Sequence, residues 1–144
     1  GLLLPGCATV PRPPADRWAA ADAIVRGIAL PRIARRSERI TSHGARSGWH
    51  HDSRSAILAA IAALGPSGGR VVLPAGEWRS DGPVHLRSGI DLHLEAGAHL
   101  RFSTDPAHYL PVVFTRWEGT ECFNHSPPIY ARDCTDVAIT GSGT

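Results

Sequence analysis

The spacing of apolar residues changes at Gly68, and this change constrains the fold more than any other feature of the chain. Before Gly68 the apolar residues follow helical spacing, and after it they alternate with polar residues in very short runs. Gly, Pro, Ser or Asp stands at the corners between the runs. Short alternating strands fit either a β-sandwich or a β-solenoid. No Asn-Gly or Asp-Gly pair joins two matched strands as a hairpin, and this favours the solenoid.

A first helix is predicted over residues 16–29, where Asp16 can cap the start and Pro31 stops the helix. The basic stretch 32–39 has little periodicity and is predicted to be a solvated connector. Residues 40–51 are predicted to form a strand-like piece followed by a turn-rich loop. The apolar stripe of the first helix consists of Trp18, Ala21, Val25 and Ile28.

A second helix is predicted to begin with Asp52 as its N-cap and to end at Gly65, with Pro66 blocking its continuation. The first coil of a solenoid exposes unpaired backbone and apolar core unless another element covers it. This helix lies directly before the first strand and is therefore predicted to be that cap. Its large apolar residues share one face: Ile57, Ile61 and Leu64.

Carboxylates occur among the predicted strands, but their positions suggest no acid–base pair. Asp91 alternates with core residues and is predicted to point outward. Glu95 and Asp105 suit corners and turns. We therefore assign no catalytic role to these residues or to Glu121. The alternating segments themselves are residues 71–73, 84–86, 90–94, 98–102 and 137–139.

The start of the chain is predicted to be a separate segment. An apolar run ending in Leu-x-Gly-Cys at Cys7 is similar to the end of a bacterial lipoprotein signal, in which the lipidated cysteine becomes the first mature residue. A plain apolar stub is the alternative interpretation. The chain thus divides into a signal remnant with a Pro-rich linker (1–15), an N-terminal helix with its connector (16–51), and a capping helix followed by strands (52–144).

Composition excludes several classes of protein. Fifteen Lys+Arg against thirteen Asp+Glu give a net charge of +2, so no nucleic-acid partner is predicted. No window of about 18 apolar residues exists, so no membrane span is predicted. A lipid anchor at Cys7 is the one membrane attachment that the sequence suggests. The chain contains no Met and residues 139–144 carry no capping signal, so we expect a piece cut from a longer protein at both ends.

Several segments in order resemble the polygalacturonase family, glycoside hydrolase family 28. The resemblance implies a right-handed parallel β-helix that hydrolyses galacturonosyl linkages in pectin with inversion. It also implies an exported protein (periplasmic, outer-membrane lipoprotein or extracellular) that is a monomer or small oligomer, with a polysaccharide substrate and no cofactor. The matching segments are 52–53, 68–76, 84–88, 92–98, 102–106, 115–119, 121–122, 126–127, 129–131 and 139–141.

The catalytic segments of this family do not occur in the chain. They are Asn-Thr-Asp, Asp-Asp, Gly-His-Gly and Arg-Ile-Lys. The resemblance therefore implies a hydrolase as the parent protein, with only its first coils and none of its catalytic residues present here. Two alternatives stay open: a lyase-type β-helix that acts through Arg and Ca²⁺, and a non-catalytic β-helix that binds polysaccharide or serves as an adhesive stalk.

The candidate substrate-binding residues are Arg116, Trp117 and Glu118, with Asn124 in the same predicted loop. A uronic acid needs a cation for its carboxylate and an apolar surface for its ring, and Arg beside Trp supplies both. This segment resembles part of a long loop that lies over the sugar-binding cleft in the family. The alternative is a structural loop in which Trp117 fills core and Arg116 pairs with Glu118.

No metal site is predicted, although the chain has eight His residues. His85, His93 and His99 fall at outward strand positions, and no Cys or carboxylate completes a ligand set. Cys122 and Cys134 can form a disulfide if the protein is exported, or remain two small buried thiols.

Overall fold

A computed structural model describes residues 17–144 of the chain. These residues fall into two compact units, divided between Leu30 and Pro31. The described residues contain ten short strands and two α-helices. None of the described helices is long and apolar enough to cross a membrane. The segment with Cys7 and the proposed cap Asp16 lie outside the described residues.

The first unit contains helix α1 (Arg17–Gly27), which confirms the predicted first helix with slightly shorter bounds. The predicted apolar stripe is not buried in this structure. Trp18, Val25 and Ile28 are 79%, 65% and 63% exposed.

The second unit contains α2 and all ten strands, joined by short turns. The strands in the described residues are β1 (Ser37–Arg39), β2 (Gly69–Leu73), β3 (Gly76–Ser80), β4 (Val84–His85), β5 (Ile90–Leu94), β6 (Ala98–Phe102), β7 (Val113–Trp117), β8 (Thr120–Asn124), β9 (Ile129–Tyr130) and β10 (Ala138–Gly141). Helix α2 spans Arg54–Ala63, and two single 3₁₀ turns span Ile40–His43 and Pro106–Tyr109.

Three of the four sheets in the described residues pair their strands in parallel. Their orders are β1–β2–β5–β10, β3–β6 and β4–β9. Arg70 on β2 is paired with Asp91 on β5, 21 residues later in the chain. The chain therefore comes back beside its own earlier strand after one turn of about that length. Inward partners match as well, with Val71 beside Leu92. This parallel pairing follows the solenoid prediction and differs from the hairpins of a sandwich.

The entry into β2 requires glycine because two turns of the chain approach each other closely there. Gly68 has a φ of +70°, and a Cβ at this position would collide with the carbonyl of Gly89. The next amide, of Gly69, donates a hydrogen bond to the same carbonyl at 2.8 Å. The Gly-Gly pair therefore sets how tightly successive turns stack.

Helix α2 packs its predicted apolar face into the core. Ile57 and Leu64 are fully buried and Ile61 is 5% exposed. All three belong to the cluster that contains Val71 and Leu92 of the parallel sheet. Burying one such side chain contributes about 1.5–3 kcal/mol, so the covering face of α2 is a major stabilising element.

The start of α2 differs from the prediction by one residue. Its N-cap is Ser53, whose hydroxyl makes no capping hydrogen bond, and not Asp52. The Asp52 carboxylate nevertheless accepts from the amide of Arg54 at 3.0 Å and from that of Asp81 at 2.9 Å. One carboxylate oxygen thereby joins the first turn of α2 to the end of β3. The predicted end is confirmed, since Gly65 adopts a φ of +58°.

The stretch before Ile40 is the predicted exposed connector over residues 32–36, but the prediction is wrong for its last three residues. Ser37–Arg39 forms β1 and pairs with β2, whose open edge supplies the partner that local periodicity cannot reveal. Arg39 then binds Glu95 with both guanidinium nitrogens, at 3.0 and 2.9 Å. Ile40 itself starts a 3₁₀ turn and is fully buried, so the strand lies before this residue and not after it.

Asp91 points away from the core as predicted, yet it is only 1% exposed. Its outer side is covered by neighbours on adjacent strands. The Nε of Arg70 on β2 donates to Asp91 at 2.7 Å, and the hydroxyl of Thr140 on β10 donates at 2.8 Å. Both carboxylate oxygens are therefore bonded, which is what allows a charged group to be buried here.

The cap role of α2 gives a direct stability test. Replacing Ile61→Asp places an unpaired charge against the core and should lower the free energy of unfolding by about 3–5 kcal/mol. The matched control is Ala59→Asp, which adds the same charge to an exposed position of the same helix and should change stability by less than about 1 kcal/mol. Urea unfolding followed by circular dichroism measures both. Equal losses in the two variants would contradict the cap role.

Candidate functional site

The segment that carries the candidate substrate-binding residues is a β-hairpin and not the long loop that was expected. Strands β7 and β8 pair antiparallel. The two residues between them, Glu118 and Gly119, have φ values of +47° and +85°. Positive φ at both positions is typical of the two-residue turns that match the twist of a hairpin. The sequence carries Glu-Gly where Asn-Gly or Asp-Gly would have signalled this turn.

The hairpin separates two of the predicted residues. Neighbouring residues of a strand point to opposite faces, so Arg116 and Trp117 do not share one. Arg116 lies directly opposite Glu121 in the register. Trp117 is opposite Thr120 on the other face and is 64% exposed. It therefore does not fill core, as the alternative interpretation required.

Contacts around Phe114 fasten the hairpin to the parallel part of the fold. The hydroxyl of Tyr130, on β9, donates to the carbonyl of Phe114 at 2.8 Å. The guanidinium of Arg132 lies over the Phe114 ring, 4.1 Å from its centroid. The rings of Phe123 and Phe114 meet in an edge-to-face arrangement, with the centroids 5.3 Å apart.

A groove of about 460 Å³ lies between the hairpin and β9, within the size range of small-ligand sites. It combines cationic, aromatic and apolar groups on facing walls. Its main lining residues are Phe114, Arg116, Glu121, Ile129, Tyr130 and Arg132. We call it the hairpin pocket.

The arginines of the hairpin pocket are poorly paired with internal carboxylates. Arg116 forms no ion pair with a described residue, and its Nε donates to the carbonyl of Gly119 at 3.1 Å. Arg132 has one carboxylate partner among residues 17–144, Asp133 at 3.5 Å, whose side chain is 87% exposed. Both guanidinium groups thus keep donors that can reach a ligand.

A second groove of about 490 Å³ lies on the outer face of the β1–β2–β5 strands and also contains arginines. Three of its four arginines are already engaged within the fold. Arg39 binds Glu95 at 2.9 Å, and Arg70 binds Asp91 at 2.7 Å. Arg36 donates to the carbonyl of Leu64 at 3.1 Å. The hairpin pocket is therefore the better candidate for an anionic ligand.

Of the four residues predicted from the sequence, Arg116 lines the hairpin pocket. Glu118 occupies the turn and forms no pair with Arg116 in the described part of the chain. Asn124 ends β8, and its side-chain oxygen accepts from the amide of His125 at 2.8 Å. Sequence analysis missed Tyr130 and Arg132, because their contacts with Phe114 join segments that no local pattern connects.

His85 is the titratable group most affected by its surroundings near this site. Its ring lies 5.0 Å from that of Tyr130, and its Nε2 is 3.0 Å from the hydroxyl of Ser126. Partial burial, and secondly the charge of Arg54, lower the pKa of His85 below its ordinary value of 6.5. The neutral imidazole is therefore the form that the folded protein favours.

This lowered pKa predicts a pH dependence of stability. Because the folded pKa is lower than the unfolded one, the unfolded chain binds more protons between these two values. The contribution of neutral His85 to the stability of the folded state is thus present at about pH 7.5 and is lost as the pH falls below about 6.5. We expect wild type to lose more thermal stability than His85→Gln between about pH 7.5 and about pH 5.5. The control is His99→Gln on β6. Thermal stabilities of wild type and His85→Gln that change equally with pH would contradict the prediction.

The cysteines and histidines form no further site in the described residues. Cys122 and Cys134 are both free, half-buried thiols, and the thiol of Cys134 contacts the carbonyl of Arg132 at 3.1 Å. No group of three or more His, Cys, Asp or Glu residues within 17–144 is arranged to hold a metal ion.

Two solved structures are similar to this chain. That of a hyperthermoactive exopolygalacturonase from Thermotoga maritima gives a TM-score of 0.80 at 41% sequence identity, covering 85% of this chain and 27% of that one. That of a family 28 exopolygalacturonase from Yersinia enterocolitica gives a TM-score of 0.65 at 29% identity, covering 76% of this chain and 20% of that one. No protein-family model matches the chain, and no curated protein gives a significant match.

The parallel pairing of short strands, together with these similarities, defines a fold class that the chain shares with the two solved exopolygalacturonases. The chain belongs to the polygalacturonase family, glycoside hydrolase family 28, as the resemblance of its segments implied. It spans about a quarter of the length of the first of these proteins and a fifth of the second.

Proposed function

We propose that this chain forms the first coils of a right-handed parallel β-helix in a polygalacturonase-type hydrolase, with α2 as the N-terminal cap. The parallel pairing of β2 with β5 and of β5 with β10 supports the coil arrangement. The buried face of α2 supports the cap, since an uncovered first coil would expose apolar core to water.

The proposed substrate is a galacturonan such as pectin, cleaved by hydrolysis with inversion and without a cofactor. The observation that carries this proposal is the hairpin pocket, which is lined by two guanidinium groups: Arg116 forms no ion pair with a described residue, and the one carboxylate partner of Arg132 is the exposed Asp133. Each galacturonate residue of such a polymer presents one carboxylate, and Arg binds carboxylates through two parallel hydrogen bonds. The names of the two similar proteins agree with this substrate class.

Arg116 is the proposed contact for one galacturonate carboxylate. Its position in the hairpin pocket leaves the Nη atoms facing possible ligands while the Nε holds the turn. Trp117 and Asn124 are proposed to contact sugar units beyond this pocket, since Trp117 projects from the opposite face. Glu118 shapes the turn that presents them.

We further propose that the parent protein is exported and is a monomer or a small oligomer, with a lipid anchor at Cys7. The Leu-x-Gly-Cys sequence supports the anchor. A polymeric substrate too large to enter a cell supports the export.

The chain by itself should not hydrolyse polygalacturonate. Inversion needs two carboxyl groups about 6.5–9.5 Å apart with a water between them. The family segments that supply them are missing from this sequence. A reducing-sugar assay of the purified chain should match a heat-treated sample, with an active polygalacturonase as the positive control. Release of reducing ends above the heat-treated level would refute this prediction.

The role of Arg116 is testable in the hydrolase that contains this chain. A charge-assisted hydrogen bond contributes about 1.5–3 kcal/mol, so Arg116→Ala should raise KM for galacturonides about ten- to a hundred-fold. The kcat should change less, because the contact is made in both the ground state and the transition state. Arg116→Lys should restore only part of the loss, since a planar fork is replaced by a single ammonium group.

The control for a purely structural role is Glu118→Ala. If an Arg116–Glu118 pair held the turn, both alanine variants would lower the melting temperature equally and neither would act selectively on KM. A large stability loss with an unchanged KM for Arg116→Ala would therefore exclude the binding role.

A further inference from the structure

Arg132 is held in place more firmly than the other arginine of the hairpin pocket. Its guanidinium carbon lies over the Phe114 ring, at 4.1 Å from the ring centroid. The carbonyl of Phe114 is fixed by the hydroxyl of Tyr130, and its ring by the edge of Phe123. A guanidinium stacked in this way is oriented before any ligand arrives, so little freedom is lost on binding.

The stacking also leaves the hydrogen-bonding capacity of Arg132 intact. A cation–π contact attracts the charge to the ring and gives the N–H donors no oxygen acceptor, so these donors stay available to a ligand. The one nearby carboxylate, of Asp133, is at 3.5 Å and 87% exposed, which makes it a weak, solvent-screened partner. The side chain of Arg132 is itself 46% exposed, so its donors reach the pocket.

Arg116 is less suited to select for charge. Its Nε is bonded to the carbonyl of Gly119, and Glu121 faces it across the hairpin, where the negative charge offsets part of its field. An approaching carboxylate would meet Arg116 and Glu121 together. It would meet Arg132 beside the Phe114 ring and Asp133, a carboxylate that is 87% exposed and therefore screened by solvent.

We propose that Arg132, carried on Phe114, is the residue that makes the hairpin pocket prefer a carboxylate-bearing sugar to the same sugar without its charge. Arg116 then adds affinity and Arg132 adds the discrimination. This assignment rests on the proposed function, since it names the charge-selecting residue of that same site.

The experiment compares two ligands that differ only in charge, digalacturonate and its methyl ester. Binding of each to the full 144-residue chain is measured by isothermal titration, and the ratio of the two Kd values gives the selectivity. Arg132→Ala should reduce this ratio about tenfold or more, because a charge-assisted bond to the carboxylate is removed. Its affinity for the ester should stay unchanged, which a merely structural role would not predict.

Two further variants and a matched control sharpen the result. Arg132→Lys should keep part of the selectivity, and Phe114→Leu should lose part of it while the charge remains. The control is Arg101→Ala, since Arg101 lies over Trp49 at the same 4.1 Å but outside the hairpin pocket. It should leave the ratio unchanged. Melting temperatures of all variants establish that each is folded.

Other outcomes separate this assignment from the proposed function. If the unmodified chain binds neither ligand, or binds both equally, the uronide pocket is refuted and the role of Arg132 falls with it. If the chain prefers the acid, and Arg132→Ala keeps that preference while Arg116→Ala abolishes it, only the assignment to Arg132 is refuted.

Discussion

Parallel, in-register stacking of successive turns is the constraint on which the rest of the structure depends. Once Val71 lies beside Leu92, every inward position of one turn must match an inward position of the next. The same register brings Arg70 beside Asp91 on the outer face, where their bond permits the carboxylate to be buried. Because such a stack has open ends, a covering element is needed, and α2, whose apolar face lies in the core cluster, is the element that we propose for that role.

The sequence predicted well those features that depend on local patterns, namely α2 with its end at Gly65 and the short alternating strands. It failed where the partner of a segment is distant in the chain. Ser37–Arg39 became a strand only because β2 offered an open edge, and Asp91 was buried by residues of two other strands. The hairpin was missed for a different reason: its turn uses Glu118, a residue that seldom adopts a positive φ.

The candidate site shows the same division between local and distant signals. Arg116 was found because its chemistry suits a uronic acid, but the pairing with Trp117 assumed a loop, and strand alternation places the two on opposite faces. Tyr130 lies in a strand of only two residues, and its bond to Phe114 spans 16 residues. A contact of this kind leaves no periodic trace, so only the folded chain can bring Tyr130 and Arg132 to the hairpin.

The distribution of arginine partners distinguishes structural from functional cations in this fold. On the outer sheet face, close carboxylates neutralise Arg39 and Arg70, which stabilises the surface but leaves little attraction for an anion. A site that must attract a carboxylate needs a fixed cation without such a partner. An aromatic ring meets this need, because stacking on Phe114 orients Arg132 through the ring's quadrupole and does not cancel its charge. The ring thereby acts as a positioning contact beside the exposed Asp133, and the charge of Arg132 remains available to a ligand.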